Sequence, residues 1–111
     1  MRKIIAITAL SILSFSQVAQ ADYTISQYKK IKDDERFNLY LTGYVNGLEW
    51  ANVNMISNGL PPLFCTPVYL ALTADNAIQL FDDYLARHKS EGGDFMELHM
   101  VAALQKAFPC K

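Results

Sequence analysis

This chain is poor in the residues that carry most protein chemistry. Its 111 residues include only two cysteines and two histidines. No set of Cys, His or carboxylates stands at zinc or EF-hand spacing, so the pattern gives no metal site. No glycine-rich phosphate loop occurs, and neither His88 nor His99 has a Ser or Cys nucleophile in a recognisable motif. A polybasic run is missing too, which argues against nucleic acid or anionic membrane as the main partner. Clean polar–apolar alternation is absent, and neither Asn46-Gly47 nor Asn58-Gly59 lies between two such runs, so β-hairpins are not expected. Asp82-Asp83 and the group Glu91, Asp94 and Glu97 read as solvated surface, because adjacent helical residues point apart. The sequence therefore predicts no catalytic residue, no metal, no cofactor and no enzyme activity.

Apolar residues concentrate at the start. Arg2 and Lys3 precede an apolar stretch from Ile4 to Phe15, and Ala19-Gln20-Ala21 offers a small-x-small cleavage site. This is the layout of a secretory signal peptide. An apolar stretch of about a dozen residues is shorter than the roughly 20 that span a bilayer, and no Cys lies near the cleavage site to carry a lipid. Two segments are expected: a leader at 1–21, and one mature domain at 22–111 that works outside the cytoplasm and off the membrane. With Arg2 and Lys3 removed, ten Lys and Arg become eight against eleven Asp and Glu, a net charge of −3.

Cys65 and Cys110 are the only cysteines. In an oxidising compartment, an isolated pair in a small secreted domain is most simply a disulfide. Closing a loop of about 45 residues stabilises a fold by roughly 4 kcal/mol on a chain-entropy argument, comparable to the net stability of a domain this small.

The mature segment reads as an all-α bundle of about four helices. Thr24 with Gln27 forms a capping-box pattern at the head of a short helix ending near Ile31. A long helix follows from about Asp34 to Ser57, in which Phe37, Leu41, Tyr44, Leu48, Ala51 and Met55 form one apolar stripe. Asn58-Gly59 and Pro61-Pro62 end it. Thr73 is a good N-cap for a third helix to about His88, with Ala77, Leu80, Phe81, Tyr84 and Leu85 buried. Lys89 to Asp94 is the clearest exposed loop. The last helix runs from about Phe95 to Ala107, with Leu98, Val101, Ala102 and Leu104 inward, and Pro109 stops it. Val68 to Leu72 reads either as a helical turn or as an extended piece under the bundle.

Two features of the long helix leave the identity of their packing partner open. Gly43, Gly47 and Ala51 line one side with small residues. Two helical glycines cost roughly 1 kcal/mol each relative to Ala, which close approach of another helix would offset. That helix belongs either to the same chain or to a second copy in a homodimer. Trp50 lies roughly 100° from the nearest members of the apolar stripe and suits either the core or an interface, where Trp is enriched.

Several motifs together resemble one family. They are the leader, Gly43-Tyr44-x-x-Gly47 in a long helix, Phe64-Cys65-x-Pro67, the amphipathic helix from Thr73 to His88, and the closing Ala102-Ala103-Leu104-x-x-Ala107-Phe108-Pro109-Cys110. This combination resembles the Rap/Tai-type immunity proteins, which protect Gram-negative cells from type VI secretion amidase effectors. It covers residues 36 to 110, and the Phe-Cys-x-Pro and Ala-Phe-Pro-Cys motifs are its most specific parts. The resemblance implies a small all-α periplasmic protein, typically a homodimer, that binds a peptidoglycan amidase and blocks its active-site groove with a loop. The leading candidate for that loop is Lys89, Ser90, Glu91, Gly92, Gly93 and Asp94, whose two glycines let a backbone enter a narrow cleft. The competing candidate is Asn58 to Phe64, with Leu60, Leu63 and Phe64 as apolar anchors. A rival from another class is a periplasmic acid-stress chaperone, also small, helical and held by one disulfide.

Overall fold

In the computed structural model, which describes residues 22–111, four helices follow one another: α1 (Ile25–Ile31), α2 (Glu35–Ser57), α3 (Ala74–Arg87) and α4 (Met96–Ala107). The leader at 1–21 lies outside the described residues. The helix boundaries follow local chemistry. Thr24 and Gln27 complete a reciprocal capping box on α1, Asp34 accepts from Arg36 N–H at the head of α2, and Thr73 accepts from Asn76 N–H at the head of α3. At the end of α2, Gly59 adopts φ 73°. Its N–H reaches the Ile56 carbonyl while that of Leu60 reaches Met55, the paired bonds of a Schellman stop.

The core gathers Tyr28 from α1, Phe37, Leu41 and Val45 from α2, Ala77 and Phe81 from α3, and Met96, Met100, Ala103 and Leu104 from α4. Helix α3 packs against both α2 and α4. Cys65 and Cys110 are joined, with Cα atoms 5.0 Å apart, and Cys65 N–H donates to the Phe108 carbonyl at 2.9 Å. The chain's C-terminus is thereby fixed to the connection after α2.

Three expected details are corrected. The inward line of α2 turns at its C-terminal half: Asn52, not Ala51, is buried there, and Ala51 is exposed. In α4, Leu98 is exposed, and Met96, Met100 and Ala103 take the inward positions. The first turn of α4 is docked by the N-terminal segment, and that rotates Met96 rather than Leu98 into the core. The Thr66–Leu72 connection is neither a helix nor a buried extended piece. It makes a turn closed by Leu70 N–H on Pro67 O, leaves Val68 and Tyr69 in solvent, and buries only Leu72.

Helix α4 has no side-chain N-cap. The residues before α1 do that work. Met96 N–H donates to Tyr23 O at 2.8 Å, Ile25 N–H to Asp94 O at 2.9 Å and Ser26 N–H to Gly92 O at 3.0 Å, so Tyr23–Ser26 lies antiparallel on residues 92–96.

Candidate functional site

An apolar opening sits where α2 meets the disulfide corner. Trp50, Val53 and Ile56 form one wall, Pro62, Cys65 and Thr66 the other, and Asn52 and Phe64 lie at its base, enclosing about 490 Å³. Trp50 is 72% exposed and Ile56 60%. Of the two readings for Trp50, burial in the core is excluded. Asn52 fixes the second wall. Its side chain donates to Phe64 O and accepts from Leu63 N–H, which holds the Asn58–Phe64 turn with Leu60 outward and exposed.

The small-residue edge of α2 is open. A Cβ built on Gly43 or on Gly47 would meet nothing within 4 Å among the described residues, so none of α1, α3 and α4 approaches there. The intramolecular explanation for these glycines is therefore overturned. Gly43, Gly47 and Ala51 form an exposed strip, with Trp50 one turn on from Gly47 at its edge.

The loop Lys89–Asp94 is largely exposed, but its backbone is engaged. Gly92 O and Asp94 O hold the start of α1. A Cβ on Gly92 would collide with the Ser26 hydroxyl, so this glycine serves close packing on α1. Asp94 accepts from Glu91 N–H at 3.0 Å and faces His99 Nε2 at 3.1 Å. The Glu91 backbone bond and then His99 hold the Asp94 carboxyl below the usual carboxylate range.

Three carboxylates expected to be solvated surface are built into the structure. Asp94 is one. Asp82 accepts from the Tyr28 hydroxyl and from Lys32 Nζ, each at 2.8 Å, which ties α3 to the end of α1. Burial and then Asp82 push the Tyr28 phenol pKa well up. Glu97 accepts from Tyr23 N–H at 2.8 Å and from the Tyr40 hydroxyl at 2.7 Å, while Tyr44 donates to its backbone carbonyl at 2.6 Å. Burial and the nearby Glu97 charge push the Tyr44 pKa up to about 12.

The two histidines sit apart from the groove lining. His88 stacks on Tyr84 with ring centres 4.2 Å apart and places Nδ1 2.9 Å from the Tyr84 carbonyl, closing the end of α3. His99 is engaged by Asp94. Among the described residues, no group of three His, Cys, Asp or Glu side chains could hold a metal ion, and no helix is long and apolar enough to cross a membrane.

No family model, curated protein or solved structure matches the chain. The geometry offers an apolar groove with one stapled wall, an open small-residue edge, and a tethered polar loop. The sequence signal for the groove was weak: Trp50, Val53 and Ile56 lie off the apolar stripe, but only the return of Pro62 to Thr66 beside them makes a cleft.

Proposed function

We propose that the mature protein is a periplasmic immunity protein that binds a peptidoglycan amidase effector of a type VI secretion system and occludes its active-site groove. The observation that carries this reading is the exposed apolar groove between Trp50 and Pro62 on a corner closed by Cys65–Cys110. An exposed Trp on a disulfide-closed corner suits a hot-spot anchor in protein recognition. The motifs shared with Rap/Tai-type immunity proteins, Phe64-Cys65-x-Pro67 and Ala107-Phe108-Pro109-Cys110, flank this corner.

The contact is assigned to the groove and the Asn58–Phe64 turn in preference to Lys89–Asp94. The turn presents Leu60 and Leu63 to solvent, whereas the Lys89–Asp94 loop has two carbonyls committed to α1. Homodimer formation through Gly43, Gly47 and Ala51 belongs to the same reading, since that strip is open.

The test is protection of cells that carry the amidase in their periplasm. Wild-type protein is expected to restore growth and to co-purify with the amidase. Trp50→Ala is expected to weaken binding at least tenfold with an unchanged circular dichroism spectrum. Full protection by Trp50→Ala together with Leu60→Asp would remove the groove from the site. Suppression of aggregation at low pH, with no binding to any amidase encoded beside the gene, would move the assignment to an acid-stress chaperone.

A further inference from the structure

We propose that the α-ammonium group created at Asp22 by removal of the leader is the partner of Glu97 Oε2, so that processing completes the anchor between the N-terminus and α4. The proposal rests on cleavage after Ala21. Glu97 stands in the first turn of α4, and its Oε1 is taken by Tyr23 N–H and the Tyr40 hydroxyl. Its Oε2 is buried with no hydrogen-bond partner, the one such side-chain atom among the described residues. A buried carboxylate oxygen without a donor is destabilising.

The backbone brings the new terminus to that oxygen. Tyr23 N–H already lies on the same carboxylate, and Asp22 is one Cα step upstream, about 3.8 Å. The segment is fixed in place, because Tyr23 O accepts from Met96 N–H and Thr24 pairs with Phe95. The surroundings are negative. After burial itself, Glu97 and then the Tyr44 and Asp22 charges raise the Tyr40 phenol pKa, which places the Asp22 carboxylate in the same neighbourhood. The groups facing the terminus are thus Glu97 of α4, Tyr40 and Tyr44 of α2, and Asp22 itself. Arg36, the α2 cation that senses Tyr23, is engaged by Asp34 at 3.4 Å.

The chemistry distinguishes precursor from product. Hydrolysis of the Ala21–Asp22 amide by a leader peptidase adds water across the C–N bond. The carboxylate departs on the leader, and Asp22 keeps the amine, which takes a proton below its ordinary pKa of about 8. The uncut chain offers a single neutral N–H at this position; the cut chain offers three donors and a positive charge.

The experiment compares the mature chain beginning at Asp22 with the same chain N-acetylated, in wild type and in Glu97→Gln. The readouts are the NMR titration of the α-amino nitrogen and urea unfolding. In wild type the α-amino pKa is expected to rise by about one unit, to about 9, and acetylation is expected to weaken the folding constant about tenfold at neutral pH. The stabilisation should be complete below about pH 8 and lost as pH rises through the raised value. In Glu97→Gln, acetylation should change nothing. An α-amino group that titrates at its ordinary value, with acetylated and free wild-type chains equally stable, overturns the pairing even if Glu97→Gln does not fold. N-terminal sequencing of the exported protein checks the cleavage separately, and a terminus other than Asp22 overturns the processing step whatever the Asp22 chain does.

Discussion

Asn52 holds Phe64 by the backbone: its side-chain amide donates to the Phe64 carbonyl at 3.0 Å and accepts from the preceding Leu63 N–H at 2.8 Å. Asn52 is only 7% exposed, so this exchange is sheltered from water. It converts the turn after α2 from a flexible connection into a fixed wall of the groove.

Asn52→Ala is expected to destabilise the domain by about 2–3 kcal/mol, because it leaves two sheltered backbone groups without partners. Urea unfolding measures this. Asn52→Asp keeps the acceptor for Leu63 but loses the donor to Phe64, and should not restore stability. A loss under about 0.5 kcal/mol for Asn52→Ala would show that the turn holds itself.

Reduction of Cys65–Cys110, or Cys65→Ser, is expected to lower stability by about 2–5 kcal/mol. Intact mass before and after reduction should differ by two hydrogens. Protein isolated without reductant that alkylates at either Cys would contradict the joined pair.

Gly47 offers a clean separation between folding and assembly. Because a Cβ there meets nothing within 4 Å among the described residues, Gly47→Leu should leave helical content unchanged and abolish a homodimer that uses this strip. In a protein that stays monomeric at micromolar concentration by light scattering, the dimer is rejected. Gly47→Ala should then simply raise stability by roughly 1 kcal/mol.

Alkaline titration should unfold the protein cooperatively. The Tyr44 pKa is raised to about 12, and those of Tyr28 and Tyr40 are raised too, with burial the leading cause in each. A phenol whose folded pKa lies above its unfolded value of about 10 contributes stability that is fully present below pH 10 and is lost as pH rises through the folded value. Phenolate absorbance at 295 nm should therefore rise together with loss of helical circular dichroism. Six tyrosines that ionise near pH 10 while the helices persist would contradict the buried hydroxyls.

The helices were legible because their ends are written locally. Thr24 with Gln27, Thr73, and Asn58-Gly59 each act through bonds within a few residues, and sequence spacing carries that information. The pairing of Cys65 with Cys110 was legible by their isolation. Asp82, Asp94 and Glu97 were misread as surface, because their partners Tyr28, His99, Tyr23 and Tyr40 are chosen by tertiary packing, and 74 residues separate Tyr23 from Glu97. The same holds for Leu98 and Met96: α4 carries apolar residues on more than one side, so its periodicity does not select a face. The glycine strip was visible, but whether it faced a neighbour depended on where α1, α3 and α4 settle.

The antiparallel seating of Tyr23–Ser26 on residues 92–96 also dictates an order of events. The backbone bonds of Tyr23–Ser26 cannot form until residues 92–96 have been made. Local helices form early, but loop closure over some 70 residues must precede the contacts that reward it. A nascent chain therefore keeps this seam open until its last helix is made. The two ends of the domain join only when its tail arrives.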